Sequence, residues 1–456
     1  MKLVILGGGG FRVPLVYEAV ASEALAVPGR PSVRLDEVVL QDSSPERLAT
    51  IARIIEERAR AHTSPPSVRC TTDLRDALVG ADFVFCAIRV GGTEGRIKDE
   101  QVALRLGLLG QETIGPGGLA YALRTIPVMC RIARVIQEVA PRAWVINFTN
   151  PAGIVTQVMR QFLGEKVIGI CDTPIGLVRR VSEALGVSLE RDRSRVEYDY
   201  LGVNHLGWLR SFRIDGVDRL PALLADDDLL DRIEEARVVG KDFVRVSGAL
   251  PNEYLYYYWR TKEAIVRIRE APETRGQYLA RQQQAFYDRI AAALSPWTAW
   301  REALHEREAT YMAEAREEER REEDVAGGGY QELALRLMNA LATGHPERMI
   351  LNVGNTTASG RIVPELPPEM VLEVPCLVDG DGVHPQSVAP VSLGHLGIMA
   401  RLRASEQLIA AAAVSGDRDR AWEGFAMHPL VDSPQLGRAL LEGYIEAHPG
   451  IAELFG

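Results

Sequence analysis

The sequence predicts an α/β protein in which an N-terminal, doubly wound parallel sheet is fused to an α+β C-terminal lobe. Strand-type apolar runs alternate with helix-length segments through roughly the first 170 residues, which is typical of a parallel sheet with helices on both faces. The first of these runs passes directly into four glycines. Beyond residue 196 the pattern changes to neighbouring strand-like runs followed by helical segments.

Seven strands justify this division. The five N-terminal ones are predicted at Lys2–Leu6, Glu37–Gln41, 82–87, Trp144–Asn147 and 166–170. Each is separated from the next by enough residues for a crossover helix. In the C-terminal part, strands are predicted at 196–203 and 211–215, and helices from about residue 222 into the 320s. We therefore expect a lobe of residues 1–196 and a second lobe of residues 197–456.

Composition excludes several classes of protein. The chain has 456 residues and a formal net charge of −10, whereas a general nucleic-acid binder normally carries a basic face. No apolar run approaches the roughly 20 residues of a membrane span. The N-terminal run meets its glycines too early to be a signal peptide, so we expect a cytoplasmic protein with no membrane partner. Five cysteines without repeated spacing favour free thiols.

The four glycines are the first indication of a ligand. A parallel strand that ends in glycines before a helix presents backbone N–H groups to a pyrophosphate. The third glycine of the GxGxxG pattern is missing here, because Arg12 or Val13 stands in its place. Asp42 ends the second strand, where a carboxylate binds ribose hydroxyls and favours NAD over NADP. The cofactor-binding residues that we predict are Gly7, Gly8, Gly9, Gly10, Phe11, Arg12 and Asp42.

More specific motifs follow downstream. They are IRVGGTEGRIKDE (88–100), GQETIGPGG (110–118), NFTNP (147–151), CDTP (171–174), GVNHLGW (202–208) and LPNEYLYYYW (250–259). NFTNP and CDTP come after predicted strands, at the edge where doubly wound sheets bind ligands. Cys171 and His205 together offer a thiolate and an imidazole to a borderline divalent ion, with substrate and water as its other ligands.

The whole chain resembles glycoside hydrolase family four, the NAD- and metal-dependent group, from the glycine loop to at least LPPEMVLEVP (366–375). The GQET, RVGG and YLYYYW segments resemble the 6-phospho-β-glucosidases more than the α-specific members. The resemblance implies a Rossmann-like N-terminal domain in a lactate/malate-dehydrogenase-like architecture. It also implies a homodimer or homotetramer. Family four departs from the two-carboxylate scheme of most glycosidases.

The mechanism implied by the resemblance begins with hydride transfer from C3 of the sugar to NAD, which acidifies the proton at C2. Cys171 and His205 match the metal ligands, with Mn²⁺ expected first and Co²⁺, Ni²⁺ or Fe²⁺ compatible. Tyr254 matches the base that removes the C2 proton, although a neighbouring tyrosine up to Tyr258 is an alternative. Asp172 matches the acid that protonates the leaving oxygen, and Glu112 the residue that tunes the tyrosine.

Substrate contacts are implied in the same way. Arg96, Asn150 and Arg275 match positions that contact the phosphosugar, and guanidinium groups suit a dianion. Three alternatives stay open: the same mechanism on an unphosphorylated or α-linked glycoside, a 2-hydroxyacid dehydrogenase-like enzyme, and a non-catalytic NAD-binding protein. The loop GGGGFRVP lacks the Ser and Thr of many members. The Glu- and Arg-rich segment 302–324 is interpreted as a solvated helix face or a mobile connection.

Overall fold

The computed structural model describes residues 1–22, 32–316, 320–321 and 329–456. The strands are β1 Lys2–Leu6, β2 Glu37–Gln41, β3 Ser67–Thr71, β4 Phe83–Cys86, β5 Trp144–Asn147, β6 Val167–Gly169, β7 Val196–Val203, β8 Leu206–Ile214, β9 Val217–Asp218, β10 Leu250–Pro251, β11 Glu347–Gly354, β12 Val371–Asp379 and β13 Gly382–Pro385. The glycines and Asp42 are further apart in sequence than is usual, which suggests an inserted loop near residues 28–31; these residues lie outside the part of the chain that the structure describes.

The helices, in chain order, are α1 Val13–Ala21, α2 Pro45–Ala59, α3 Leu74–Leu78, α4 Gly92–Arg105, α5 Pro116–Val139, α6 Ala152–Leu163, α7 Thr173–Ala184, α8 Leu220–Ala225, α9 Asp227–Asp231, α10 Glu234–Val239, α11 Lys241–Ser247, α12 Leu255–Trp259, α13 Thr261–Glu270, α14 Arg275–Ala292, α15 Pro296–Ala309, α16 Tyr330–Thr343, α17 Leu393–Ser415, α18 Arg418–Met427, α19 Pro434–Ala447 and α20 Pro449–Phe455. Short 3-10 helices lie at Gly164–Lys166 and Ala313–Ala315. Within the described residues, none of these helices combines the length and the apolar character of a membrane span.

The N-terminal strands form the predicted doubly wound parallel sheet, in the order β3-β2-β1-β4-β5-β6. This is the strand order of dinucleotide-binding folds, in which ligands bind at the carboxyl ends of the strands. Side chains of β1 alternate between two cores: Leu3 and Ile5 pack on one face, and Val4 and Leu6 on the other. Burial on both faces explains the continuous apolar runs that predicted these strands.

The C-terminal strands extend this sheet instead of forming a second one. β11 pairs antiparallel with β6 at one edge and with β12 along its whole length, and β7, β8 and β10 continue the sheet outward. The described residues thus contain one 13-stranded mixed sheet. The division at residue 196 stays a prediction. The strand predicted at 211–215 is the second half of β8, and helices α8 to α11 are shorter than expected.

Candidate active site

The glycine loop connects β1 to α1 in a conformation that requires glycine. Gly7 has φ +85°, and a Cβ at this position would lie 2.6 Å from the carbonyl oxygen of Ala87. A Cβ on Gly9 would lie 2.6 Å from the Cβ of Arg47. The backbone therefore lies close against β2, β4 and α2, and the first turn of α1 opens towards a cleft lined by Gly9, Gly10 and Phe11. This cradle fits a pyrophosphate, because helix N–H groups attract anions.

Asp42 lies beside this loop, as predicted. Its carboxylate accepts hydrogen bonds from the backbone N–H of Gly9 and of Ser44, both 3.0 Å long. These bonds hold the carboxylate at the end of β2, where a nucleotide ribose lies in dinucleotide-binding folds. Arg47, in the first turn of α2, lines the same cleft.

Cys171 and Asp172 lie where β6 ends and α7 begins. The Cys171 thiol is buried and lies 3.3 Å from the hydroxyl of Thr173, which in turn accepts a 2.7 Å hydrogen bond from the Asn252 amide. Burial raises the pKa of Cys171 well above its ordinary value. Burial also raises the pKa of Asp172, against the opposing effect of Arg12. The side chains of Cys171 and Asp172 both line the cleft.

His205 lies at the tip of the β7–β8 hairpin with φ +64°, a left-handed conformation that is uncommon for a side chain of this size and often found at functional sites. Its Nδ1 lies 3.0 Å from the Thr113 hydroxyl, which leaves Nε2 for another partner. Burial lowers the pKa of His205 to about 4, although Glu112 opposes the shift. The imidazole is therefore neutral near pH 7, as a metal ligand must be.

A buried carboxyl group, that of Glu373, bonds to the same hairpin. Glu373 on β12 accepts hydrogen bonds from Asn352 at 3.0 Å, Tyr200 at 3.2 Å and Asn204 at 3.4 Å. Burial raises the pKa of Glu373 to about 7, and these three donors oppose the shift. Asn204 precedes His205, so Glu373 helps to hold the hairpin tip in place.

The structure distinguishes among the crowded tyrosines. Tyr254 stacks on His205 and lines the cleft beside Cys171 and Asp172. By contrast, the hydroxyl of Tyr256 bonds to the backbone of Glu314 and that of Tyr257 to the Glu314 carboxylate. The ring of Tyr258 packs near that of His428, and both line a separate small cavity. Burial, together with Glu253 and Cys171, raises the pKa of Tyr254 well above its ordinary value.

Glu112 is held between two arginines. Its Oε2 accepts from Arg89 at 2.8 Å and from Arg96 at 2.7 Å. Burial alone would raise the pKa of Glu112, but these two cations lower it to about 2. Arg96 also donates to Glu100 at 2.7 Å. Glu112 is thus an anion at any physiological pH, and it fixes the direction of both guanidinium groups.

Cations outnumber anions in the part of the cleft next to the glycine loop. Arg275 donates hydrogen bonds to the Thr310 hydroxyl and the Arg307 carbonyl. The guanidinium carbon of Arg307 lies 3.8 Å from the centre of the Phe11 ring. Burial, with Arg12 and Arg275 nearby, lowers the pKa of Arg307 to about 9. A cluster of guanidinium groups of this kind favours the binding of an anion. Asn150 lines the same cleft.

The donors present fit both groups that the family resemblance implies. The glycine cradle and Asp42 fit a dinucleotide, and Cys171 with neutral His205 offers soft and borderline ligands to a divalent ion. Among the described residues, no group of three or more His, Cys, Asp and Glu side chains is arranged around a metal position. Cys171 and His205 would leave the remaining positions of such an ion to substrate and water.

One interpretation from the sequence holds only in part, since Glu302, His305 and Glu306 of α15 are exposed. The segment 302–324 is not simply a solvated face, although 317–319 and 322–324 lie outside the described residues. Glu308 pairs with Arg12 of the glycine loop, and Tyr311 bonds to Tyr254. The pattern was misleading because several of its charged residues, Arg307, Glu308 and Glu314 among them, line the cleft together with Tyr311 and Met312.

The comparisons agree with this geometry. The sequence model of the family described as "Family 4 glycosyl hydrolase" matches residues 2–187, and that of the "Family 4 glycosyl hydrolase C-terminal domain" matches residues 200–431. The probable 6-phospho-beta-glucosidase of Bacillus subtilis (strain 168) is 30% identical over 98% of this chain and 96% of its own length. The 6-phospho-alpha-glucosidase of Leptotrichia buccalis is 28% identical over 98% and 97%.

Solved structures give the same result. The 6-phospho-beta glucosidase of Thermotoga maritima, in a structure with NAD and glucose-6-phosphate, matches with a TM-score of 0.82 and 26% identity over 98% of both chains. A malate dehydrogenase from Plasmodium falciparum matches with a TM-score of 0.50 at 14% identity, a likeness of fold alone. The expected dehydrogenase-like architecture is confirmed.

Fold and cleft together define an α/β enzyme built on a dinucleotide-binding sheet. The two family models cover most of the chain, and the chain belongs to family 4 of the glycosyl hydrolases. It is therefore a glycosidase, and the dehydrogenase and binding-protein alternatives are set aside.

Proposed function

We propose that this chain hydrolyses 6-phospho-β-glucosides in a reaction that depends on NAD and on a divalent metal ion, with Mn²⁺ as the expected ion. One observation carries the proposal: the arginine-rich wall next to the glycine loop and the Cys171/His205 pair line two adjoining cavities of the cleft, and Glu112 and Tyr254 lie in the walls of both. A hydrolase that used two direct-acting carboxylates would need neither the glycine cradle nor the Cys/His pair.

The cofactor and the metal have separate places in this proposal. Gly7 to Arg12 and Asp42 bind the dinucleotide, and Cys171 and His205 bind the metal. When bound, NAD would accept a hydride from the sugar and return it later, and the metal would polarise the adjacent sugar oxygens. Relatives whose structures contain NAD and glucose-6-phosphate support this assignment.

The side chains of the protein position the substrate and move its protons. Arg96, Asn150 and Arg275 contact the phosphosugar. The two arginines hold its phosphate, because guanidinium groups bind phosphate oxygens with paired hydrogen bonds. Tyr254 removes the proton from C2, and its ring is kept in place by the stack on His205. Asp172 protonates the leaving oxygen. Glu112 keeps Arg89 and Arg96 oriented towards the cleft.

The β configuration rests on the GQET, RVGG and YLYYYW segments and on the relatives that are named as β-glucosidases. Other relatives are named as α-glucosidases, so the anomeric preference is part of the proposal. We propose further that residues 1–196 form the NAD-binding domain and that residues 197–456 form the substrate, metal and oligomerisation domain, to which Arg96, Asn150 and Cys171 of the first domain are added. We also propose that the protein is a cytoplasmic homodimer or homotetramer.

The decisive experiment compares p-nitrophenyl β-glucoside 6-phosphate with its α anomer and with the unphosphorylated β-glucoside. Each is assayed with NAD and Mn²⁺ present or omitted, under reducing conditions. Turnover of the phosphorylated β compound alone, and only with both cofactors, supports the proposal. Preference for the α anomer overturns the linkage, and equal cleavage of the plain glucoside overturns the phosphate site. Net NADH release in proportion to substrate would overturn the hydrolytic cycle.

A further inference from the structure

Tyr311 connects the candidate base to a carboxylate that has no place in the reaction described above. Its hydroxyl lies 2.7 Å from the Tyr254 hydroxyl and 2.9 Å from Oε1 of Glu253. Because a phenol has one proton, Tyr311 donates to one of these partners and accepts from the other. The three groups form one continuous hydrogen-bonded chain that starts at the atom we assign to C2 deprotonation.

Glu253 lies at the inner end of this chain, among charged groups. Arg180, Arg320, Glu234, Glu235 and Tyr311 are the charged and titratable neighbours that act on it. Arg180 pairs with Glu235, and Arg320 pairs with Glu234 at 3.0 Å, so both cations are already engaged by other carboxylates. Arg320 also lies 5.3 Å above the Tyr311 ring. Glu253 is buried, yet it lines the cleft wall.

We propose that Tyr311 and Glu253 form a proton relay that takes the proton from the Tyr254 hydroxyl into the protein and returns it to the cleft. This inference rests on the proposed function, because it needs Tyr254 to act on substrate. Tyr311 and Glu253 are positioning residues, since they act on the substrate only through the hydroxyl of Tyr254.

The relay balances without another reactant. The Tyr254 proton passes to the Tyr311 oxygen while the Tyr311 proton passes to Oε1 of Glu253. The products are a phenolate at Tyr254, a neutral phenol at Tyr311 and a neutral carboxyl at Glu253, and the total charge is unchanged. Glu253 then gives its proton to water in the cleft and is ionised again. After Tyr254 has taken the C2 proton, the same two transfers move that proton to the ionised Glu253, which releases it to water in turn.

The environment of Glu253 suits an acceptor that works near neutrality. Burial and the nearby carboxylates Glu234 and Glu235 raise the pKa of Glu253 to about 7, against the effect of Arg180 and Arg320. Above this pH the carboxylate is ionised and accepts a proton; below it the relay is blocked. Proton-transfer groups are most effective when their pKa lies near the working pH.

The test uses the full chain with NAD and Mn²⁺ and the variants Tyr311→Phe and Glu253→Gln. The measurements are kcat and KM against pH with p-nitrophenyl β-glucoside 6-phosphate, and exchange of the C2 proton in D₂O. We expect each variant to lower kcat and exchange by roughly a hundredfold, at the lower end of the range of general acid–base effects. KM and the affinities for NAD and Mn²⁺ should change by less than about twofold. The fall of kcat below about pH 7 should be missing in Glu253→Gln.

Tyr256→Phe is the matched control. It removes another tyrosine hydroxyl, one that donates to the Glu314 carbonyl at 3.0 Å and takes no part in the chain. Rates and pH profile should stay at wild-type values in this control. Wild-type kcat, exchange and pH profile in both Tyr311→Phe and Glu253→Gln would overturn the relay, while wild-type turnover would still support the proposed function.

A measurement without turnover separates the two proposals. Infrared titration should give a protonated-carboxyl band in the wild type that is absent from Glu253→Gln and shifted in Tyr311→Phe. If the wild type does not cleave the phosphoglucoside, the proposed function fails, and this band still tests whether Tyr311 is coupled to Glu253. If Tyr311→Phe fails to fold, the nearly isosteric Glu253→Gln decides by the same rates and by its pH profile.

Discussion

The imidazole of His205 lies almost parallel to the phenol of Tyr254, with ring centroids 3.8 Å apart and planes 16° from parallel. A candidate metal ligand and the candidate base therefore support each other directly. Because interiors are close-packed, removing one ring leaves a void into which the other turns. The proposed metal site and the proposed base are thus linked through one aromatic contact.

Two substitutions at Tyr254 should have different effects for this reason. Tyr254→Phe keeps the ring, so we expect C2-proton exchange to stop while Mn²⁺ and NAD affinities stay within about twofold. Tyr254→Ala also removes the stack, and Mn²⁺ affinity should then fall by roughly tenfold, as for other losses of support to a metal ligand. Calorimetric titration and exchange in D₂O measure both effects. Exchange that persists in Tyr254→Phe would move the base to another tyrosine.

The second prediction concerns Thr113, whose hydroxyl lies 3.0 Å from Nδ1 of His205. Thr113→Val keeps the shape of the side chain but removes the hydrogen bond that orients the ring. Loss of such a partner typically costs about 10- to 100-fold in metal affinity, and we expect a loss of this size for Mn²⁺. Thr113→Ser retains the hydroxyl and is the control. Equal affinities in the Val and Ser variants would remove Thr113 from the site.

The third prediction tests the phosphate wall. Arg275→Ala should raise KM for the phosphorylated glucoside by roughly 10- to 100-fold, since a hydrogen bond to a charged group contributes about 1.5–3 kcal/mol. NAD affinity should not change. Arg281→Ala on the same helix is the control, because Arg281 pairs with Glu273 at the surface. If both variants raise KM equally, Arg275 has no specific role in phosphate binding.

Much of the fold could be predicted from the sequence, for a physical reason. β1 and β5 are buried between two cores, so their apolar runs are continuous and their limits were predicted to the residue. β3, with the sequence SVRCT, lies at the edge of the sheet, and its side chains are exposed or half-buried. It has no comparable signal. β11 and β12 were also missed, since an antiparallel extension of a parallel sheet depends on contacts distant in sequence.

The site divides in the same way. Cys171, His205 and Tyr254 occur in short motifs, and the structure brings all three to one cleft. Their roles stay proposals. Tyr311 could not be predicted, because its contact with Tyr254 spans 57 residues and lies in a segment whose charge suggested solvent. Glu253 directly precedes Tyr254, so the LPNEYLYYYW motif already contained the carboxylate that Tyr311 connects to the candidate base.

The fourth prediction separates two costs of a side chain at a left-handed glycine. Gly80 has φ +73°, and an added Cβ would meet no heavy atom within 4 Å. Gly7 has φ +85°, and an added Cβ would lie 2.6 Å from the carbonyl oxygen of Ala87. Gly80→Ala should cost about 1–2 kcal/mol in free energy of unfolding, from backbone strain. Gly7→Ala should cost more and should also weaken NAD binding. Urea unfolding and NAD titration measure both, and equal values would exclude a close approach at Gly7.

The last prediction is the number of protons released when Mn²⁺ binds. Burial raises the pKa of Cys171 well above its ordinary value and lowers that of His205 to about 4. Near pH 7 the thiol is therefore protonated and the imidazole is neutral. A thiol must lose its proton to bind a metal, so one proton should be released, and affinity should rise about tenfold per pH unit.

Calorimetry in buffers of different ionisation enthalpy counts these protons. His205→Ala should weaken binding without changing the count, because the neutral imidazole has no proton to lose from Nε2 when Nδ1 donates to Thr113. Cys171→Ser should both weaken binding and remove the proton release. Release of two protons by the wild type would mean that His205 is cationic before the metal binds. Release of none would mean either that the Cys171 thiol is already ionised or that it is no ligand, and the Mn²⁺ affinity of Cys171→Ser distinguishes these, since it falls only if the thiol binds the metal.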